Sequence, residues 1–435
     1  MRAFRQLAVL AVLAVLVIAA EVLPAQQSDT TTRLLVTLDH PDWLYRVGDT
    51  ARFSVSLVRG GRTVSGARVR LDVARERSRP TRRDTIMTGA APYIVATSER
   101  IPGFIRLTAT SNYQGATYTE VATAGFDPTR IEPSIAMPAD FEQFWRAAIA
   151  DARRVPLQPV MTRMPERSTP EVDVYHVRFD NQAPGSHLYG ILSMPTSPGT
   201  HPAVLSVPGA GVRPYFPNIA MAKRGVIYLA IGIHGIPVDR DSLLYNELRA
   251  TALARYYTYG LEDRDLYYYK RVFVGVVRAG DFIFGLPQFD GTNYVVQGGS
   301  QGGGLSLVAA AIDPRVKAIA VTHPAMADQL GYLKGYAGGW PHLFSDTTPV
   351  RAKKEKLETI AYYDAINFAR LVRVPGFYTF GFNDPVVPPS ASYATYNTVT
   401  APKELFIAKE TAHNTVKAQT ERTTAWVLAH LGMSP

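Results

Sequence analysis

The hydrophobic period changes once along this chain, near residue 128, and that change restricts the fold to two units of different class. From Arg33 to Phe126, apolar and polar residues alternate in short runs. Ala51, Phe53, Val55 and Leu57 interleave with Arg52, Ser54 and Ser56, while Val69, Leu71 and Val73 interleave with Arg68, Arg70 and Asp72. Gly48-Asp49, Gly60-Gly61, Gly89 and Gly103 punctuate the runs. A period of two sends successive side chains to opposite faces, so residues 27–127 read as an antiparallel, immunoglobulin-like β-sandwich. The segment shows no chemistry of its own. Trp43, Tyr45 and Tyr93 are read there either as core residues or as a sugar-stacking platform.

Beyond Pro128 the spacing lengthens. Phe141, Phe144, Trp145, Ala148 and Ala152 recur at helical intervals behind Asp140, which is expected to cap the helix. Apolar runs at Ala203–Val207, Val226–Ile231, Tyr294–Gln297, Ala318–Thr322, Gly376–Phe380 and Glu404–Ile407 then alternate with helical stretches. Strongly apolar strands separated by helices indicate a mostly parallel sheet covered on both faces. Residues 137–435 therefore read as one α/β domain. With 435 residues and 46% hydrophobic content, the chain can fill both cores.

Residues 1–25 read as a secretory signal peptide: Arg2 and Arg5 precede an apolar run from Leu7 to Ala20, and Ala25 meets Gln26-Gln27. The run falls short of the roughly 20 residues of a membrane span, so no stable span is expected after processing. The chain contains no cysteine, which excludes thiol nucleophiles, disulfides and a lipoprotein anchor. A secreted or periplasmic protein is expected. The net charge is +9, yet no basic stripe with interleaved aromatics occurs, so nucleic acid is not an expected partner.

One motif carries the chemistry. The run Tyr294–Gln297 leads into Gly298-Gly299-Ser300-Gln301-Gly302, and Leu305–Ala311 then has helical character. This is G-x-S-x-G between a buried strand and a helix, the turn that holds a serine hydroxyl clear of a sheet. Such a hydroxyl needs a base later in the chain. Of the nine histidines, His413 lies in a loop between the last strand and the last helix, whereas His430 sits inside that helix. Asp384, in the turn after Gly376–Phe380, is the expected acid, with Asp364 as the alternative. The order Ser300, Asp384, His413 is that of α/β-hydrolases. The oxyanion donors are expected to be the amides of Gln301 and of Ala210, in the turn after an early strand. His234 and His323, at strand ends, are candidate pocket residues. The Tyr267–Tyr269 run is read as helix packing.

These residues resemble carbohydrate esterase family 7, the acetyl xylan esterases and cephalosporin C deacetylases. The likeness runs through Asp140–Trp145, Asp265–Phe273, Gly299–Gly304, Gly338-Gly339-Trp340-Pro341, Tyr362–Phe368, Asp384-Pro385 with Pro388-Pro389, and Ala401–Glu404. The resemblance implies Ser300, Asp384 and His413 as triad and Ala210 and Gln301 as oxyanion-hole positions. It also implies removal of acetyl groups from small acetylated carbohydrates without metal or organic cofactor, and it is compatible with a homo-oligomer. Three features depart from the family pattern. Gly232-Ile233-His234-Gly235-Ile236 stands where Arg-Gly-Gln is expected, Pro208-Gly209-Ala210 replaces His-Gly-Tyr, and Asn414 replaces a glutamate. A serine peptidase, a general short-chain carboxylesterase and a decayed hydrolase acting as a binding protein are the competing readings.

Overall fold

A computed structural model describes residues 31–346 and 352–434; the expected signal peptide lies outside these residues. The alternating segment forms β1 (Thr32–Leu38), β2 (Leu44–Tyr45), β3 (Thr50–Arg59), β4 (Arg62–Thr63), β5 (Arg68–Arg75), β6 (Arg82–Met87), β7 (Tyr93–Ser98), β8 (Gly103–Tyr113) and β9 (Ala116–Phe126). β3 pairs with β1, β4 and β7 in one sheet; the other runs β2-β9-β8-β5-β6. The alternation has the expected consequence: Phe53, Val55, Leu57, Val69, Leu71, Leu107 and Ala109 are buried between the sheets. One pairing departs from the antiparallel expectation. β2 runs parallel to the end of β9, Leu44 beside Gly125 and Tyr45 beside Phe126. Trp43 and Tyr45 are buried, so neither offers a sugar platform, while Tyr93 is exposed.

The second unit adds nine strands. They are β10 (Val160–Arg163), β11 (Val172–Asp180), β12 (His187–Pro195), β13 (His201–Val207), β14 (Ile227–Gly232), β15 (Phe289–Gly299), β16 (Ala318–Thr322), β17 (Gly376–Phe380) and β18 (Lys403–Ile407). Their spatial order is β10-β11-β12-β14-β13-β15-β16-β17-β18. Pairs from β14 through β18 are parallel, matching the six apolar runs. The three pairs linking β10, β11, β12 and β14 are antiparallel, so the sheet is mixed. Of those leading strands, β10 is exposed throughout and β11 mixes buried with half-buried positions, so neither reads as an apolar run, while β12 is mostly buried but interrupted by His187, Gly190 and Ser193.

The helices are α1 (Phe141–Arg153), α2 (Ile219–Lys223), α3 (Ser242–Ala250), α4 (Tyr269–Phe284), α5 (Gln301–Ile312), α6 (Lys354–Ala361), α7 (Ala365–Ala369), α8 (Pro389–Thr398) and α9 (Lys417–His430). Alternation along the central strands sorts the core into two faces. Val204, Val295, Ala318 and Ala320 pack with Trp426, Val427 and Leu428 of α9. Leu205, Val296, Ile319 and Val321 pack with α4 and α5 on the other side. This second cluster continues without a break into the core between the first two sheets. Asp140 departs from its expected role. Its side chain caps nothing, and instead accepts from the Tyr362 hydroxyl and, at 2.9 Å, from Arg264.

Trp145 joins α1 to the α/β core. It is 1% exposed, contacts Phe144, Phe273, Tyr363 and Phe368, and donates its indole N–H to the Tyr362 carbonyl at 3.0 Å. Trp145→Ala is expected to cost about 3–5 kcal/mol, read as a lower urea midpoint at unchanged slope.

Candidate active site

Local sequence dictates the turn after β15. Ser300 adopts φ 59° and ψ −124°, a conformation a non-glycine residue holds only when its surroundings enforce it. The enforcement is close packing. A Cβ on Gly302 would lie 2.3 Å from the Val207 carbonyl oxygen, and one on Gly304 would lie 2.4 Å from that of Ala325. Only glycine lets α5 start this close to the turn after β13 and to the segment after β16. The Ser300 amide donates to the Thr322 carbonyl at 2.8 Å, completing the restraint. Ser300 thus stands at the C-terminal edge of the sheet, where open α/β folds bind ligands.

His413 reaches the same point from the loop between β18 and α9. Its Nε2 lies 3.0 Å from Ser300 Oγ, and its Nδ1 lies 2.7 Å from Asp384 Oδ2. Asp384 is 1% exposed, and its Oδ1 accepts the amides of Val386 at 2.8 Å and Val387 at 2.9 Å. Burial pushes its pKa up, but the neighbouring His323 and His413 imidazoles and the Val387 amide outweigh that, holding it far below the usual carboxylate range. The ionised carboxylate favours the Nδ1–H tautomer, leaving the other ring nitrogen free to accept a proton from the serine. The alternative acid, Asp364, accepts the amides of Asp328, Gln329 and Ile366 instead, as the cap of α7.

The remaining candidates surround this chain of three. A Cβ on Gly209 would lie 3.8 Å from Ser300 Cβ, so the turn carrying Ala210 abuts the serine. Arg213 braces that turn, donating to the carbonyls of Ala210 at 2.9 Å and Gly209 at 3.2 Å. Gln301 opens α5 beside it with a fully buried side chain. Its Oε1 accepts from the hydroxyls of Tyr256 and Tyr269, both at 2.7 Å, and its Nε2 donates to the Pro208 carbonyl at 3.2 Å. The two turns are thereby locked together. Tyr269 does pack in its helix as expected, but its hydroxyl role was invisible in sequence, since a phenol partner is chosen by tertiary contact.

The His323 ring lies tilted beside that of His413, 5.2 Å between centroids, with Nδ1 3.3 Å from Asp384 Oδ2. His323, Asp384 and His413 are the one group among the described residues whose ligand atoms cluster tightly enough for a metal. The Asp384 and His413 atoms concerned face each other in a hydrogen bond, which fits proton handling better than coordination. His430, by contrast, stacks on Trp426 within α9.

A nine-stranded mixed sheet with helices on both faces, and a serine at a strained strand-to-helix turn, define the α/β-hydrolase class. The acetyl xylan esterase family profile matches residues 129–430. Acetyl esterase Axe7A of Xylanibacter ruminicola is 37% identical over 406 residues, covering 90% of this chain and 89% of that protein. Among solved structures, the acetyl xylan esterase from Paenibacillus sp. R4 superimposes with a TM-score of 0.61 at 25% identity, covering 69% of this chain and 98% of its own. Acetyl xylan esterase 1 from Thermoanaerobacterium sp. JW/SL YS485 shares the fold at TM-score 0.61 and 21% identity, over 70% of this chain and 97% of its own. The chain belongs to the acetyl xylan esterase family and is a carboxylic ester hydrolase.

His234 supports the site from behind. Its Nε2 faces the Gly211 carbonyl at 3.1 Å and its Nδ1 faces the Tyr268 hydroxyl at 2.7 Å. Burial lowers its pKa to about 4. Because the folded value lies below that of the unfolded chain, only the unfolded state takes up the proton as pH falls below 6.5, and stability drops until pH 4. Between pH 8 and pH 5 this histidine should cost about 2 kcal/mol of unfolding free energy. Urea titrations at the two pH values test this: His234→Gln should show a correspondingly shallower loss, and an unchanged pH slope would refute the assignment.

Proposed function

We propose that the protein is a secreted serine esterase that removes acetyl groups from acetylated carbohydrates such as xylo-oligosaccharides. Ser300 is the nucleophile, His413 the general base and acid, and Asp384 the residue that orients and stabilises the imidazolium. The observation that carries this reading is the unbroken hydrogen-bonded chain from Ser300 Oγ through both His413 ring nitrogens to Asp384. In the first step the serine oxygen attacks the acetyl carbonyl while its proton passes to His413 Nε2. The oxyanion forms against the amides of Gln301 and Ala210, at the N-terminus of α5. His413 then protonates the departing sugar oxygen, and water enters to hydrolyse the acetyl-enzyme by the same steps reversed in role.

The acetyl substrate class is supported by the name of Axe7A, a relative aligned across nearly the whole chain, and by the Paenibacillus enzyme. Secretion rests on the N-terminal Arg2, Arg5 and Leu7–Ala20 pattern. No helix among the described residues is long and apolar enough to cross a membrane. The two N-terminal sheets form an immunoglobulin-like sandwich domain in this reading, ahead of the hydrolase domain at 137–435.

Ser300→Ala is expected to lower p-nitrophenyl acetate turnover by about 10⁴-fold or more while leaving the thermal melt near that of the parent. Turnover equal to the parent's would end the nucleophile assignment. Acetate release from acetylated xylo-oligosaccharides should exceed butyrate release from butyrylated ones; a preference for the longer acyl chain, or for aminoacyl anilides, would displace the deacetylase reading.

A further inference from the structure

The N-terminal unit shows no catalytic motif, yet it grips the loop that carries Asp384. β8 and β9 explain how. Ile105, Leu107 and Ala109 face the core between the two sheets, so the alternate positions, Phe104 and Arg106, face outward. That outward face meets the α/β unit. The Phe104 ring packs on Phe382 at 5.3 Å and on Tyr393 at 5.8 Å. Arg106 Nη2 donates to the main-chain carbonyls of both Phe382 and Asp384, each at 3.1 Å. Its Nε donates at 3.1 Å to Thr123 Oγ1, directly across the strand pair. Thr123 is fully buried and donates in turn to Asn383 Oδ1 at 2.8 Å, while Asn383 Nδ2 donates to the Val121 carbonyl at 2.9 Å.

The grip reaches the histidine loop as well. Asn383 Nδ2 lies 3.3 Å from the Glu410 carbonyl, and the Asn383 amide donates to the Thr411 carbonyl at 3.1 Å. Arg77 Nη1 donates to the Pro385 carbonyl at 2.6 Å from the other side of the loop. Residues 382–385 are therefore held at every position by a group from the N-terminal unit, three of them by β8 and β9 and Pro385 by Arg77 in the turn after β5. A surface domain tethered for glycan binding alone would need none of these contacts.

We propose that Arg106 is a positioning residue for ester hydrolysis: by clamping the carbonyls on either side of Asn383, together with Thr123, it sets the placement of the Asp384 carboxylate beneath His413. The proposal rests on the triad assigned above. Asp384 is fixed at one end by its own turn, through the Val386 and Val387 amides, and at the other by Arg106 on its carbonyl. Releasing the second end lets the carboxylate shift relative to Nδ1, and displacements near 1 Å at such a contact can cost about 10²-fold in rate. The turn carrying Ala210 and the start of α5, whose amides would receive the substrate carbonyl, lie outside that loop, so KM should barely respond.

The test uses the full chain and p-nitrophenyl acetate. Arg106→Met keeps the length of the side chain and removes its donors; kcat should fall by about 10–100-fold, with KM held within about threefold. Both carbonyls accept from the same Arg106 nitrogen, so Arg106→Lys, with one ammonium, should recover most of the lost kcat. A folded Arg106→Met protein with the parent's kcat overturns the proposal. A fall in kcat matched by a rise in KM, or a loss that lysine does not restore, also overturns it, since these mark a site disturbed beyond the Asp384 loop. If Arg106→Met does not fold, Thr123→Val decides: a lower kcat at constant KM supports the clamp, and an unchanged kcat refutes it. Asp384→Asn is run alongside. Parent-like turnover in that variant would refute the triad itself, whereas its loss beside an active Arg106→Met refutes the clamp alone.

Discussion

The close approach of α5 to the turn after β13 is the constraint on which the rest of this structure depends. Backbone carbonyls stand where the Cβ atoms of residues 302 and 304 would be, so the helix can begin at the sheet edge only because those positions are glycine. The approach forces Ser300 into its positive-φ conformation and sets its hydroxyl above the sheet. It also brings the Gln301 side chain within reach of the Pro208 carbonyl. Strain at one residue is offset by packing spread over the whole contact, which is how such backbone persists.

A second layer of order surrounds the three-residue chain. Tyr256 and Tyr269 fix Gln301, Arg213 fixes the carbonyls of the Ala210 turn, and His234 ties that turn to Tyr268. Apart from those of the exposed Arg213, these hydrogen bonds lie among buried or half-buried groups, where an unpaired partner would be costly. They orient the amides proposed to receive the oxyanion before any substrate arrives, the condition under which such donors are most effective. His234, in the segment after β14, braces the Ala210 turn through its bond to the Gly211 carbonyl.

The N-terminal sheets belong to the same mechanical unit. One apolar cluster runs from between those sheets into the α/β core, and Phe104 crosses the boundary. β9 is buried on both faces over its last five residues, unlike the outer strand of a free-standing pair of sheets. In period-two terms Arg106 and Thr123 fall on an outward face, so a sequence reading assigns them to solvent. Covering that face with a second unit turns them into the backing of the Asp384 loop.

The sequence by itself determined what local physics controls. Periodicity placed the six apolar strands and separated two units of different class, and the glycine pattern located the strained turn at Ser300. Chain order picked out Asp384 and His413 from many other acids and histidines. Tertiary structure alone decided the rest: the antiparallel strands β10, β11 and β12 and the parallel seat of β2. It also chose the partners of Arg106, Gln301 and Tyr269. The physical reason is the same in each case. A hydrogen-bonding group is satisfied by whatever the fold brings within about 3 Å, and that neighbour can lie hundreds of residues away, beyond any periodicity.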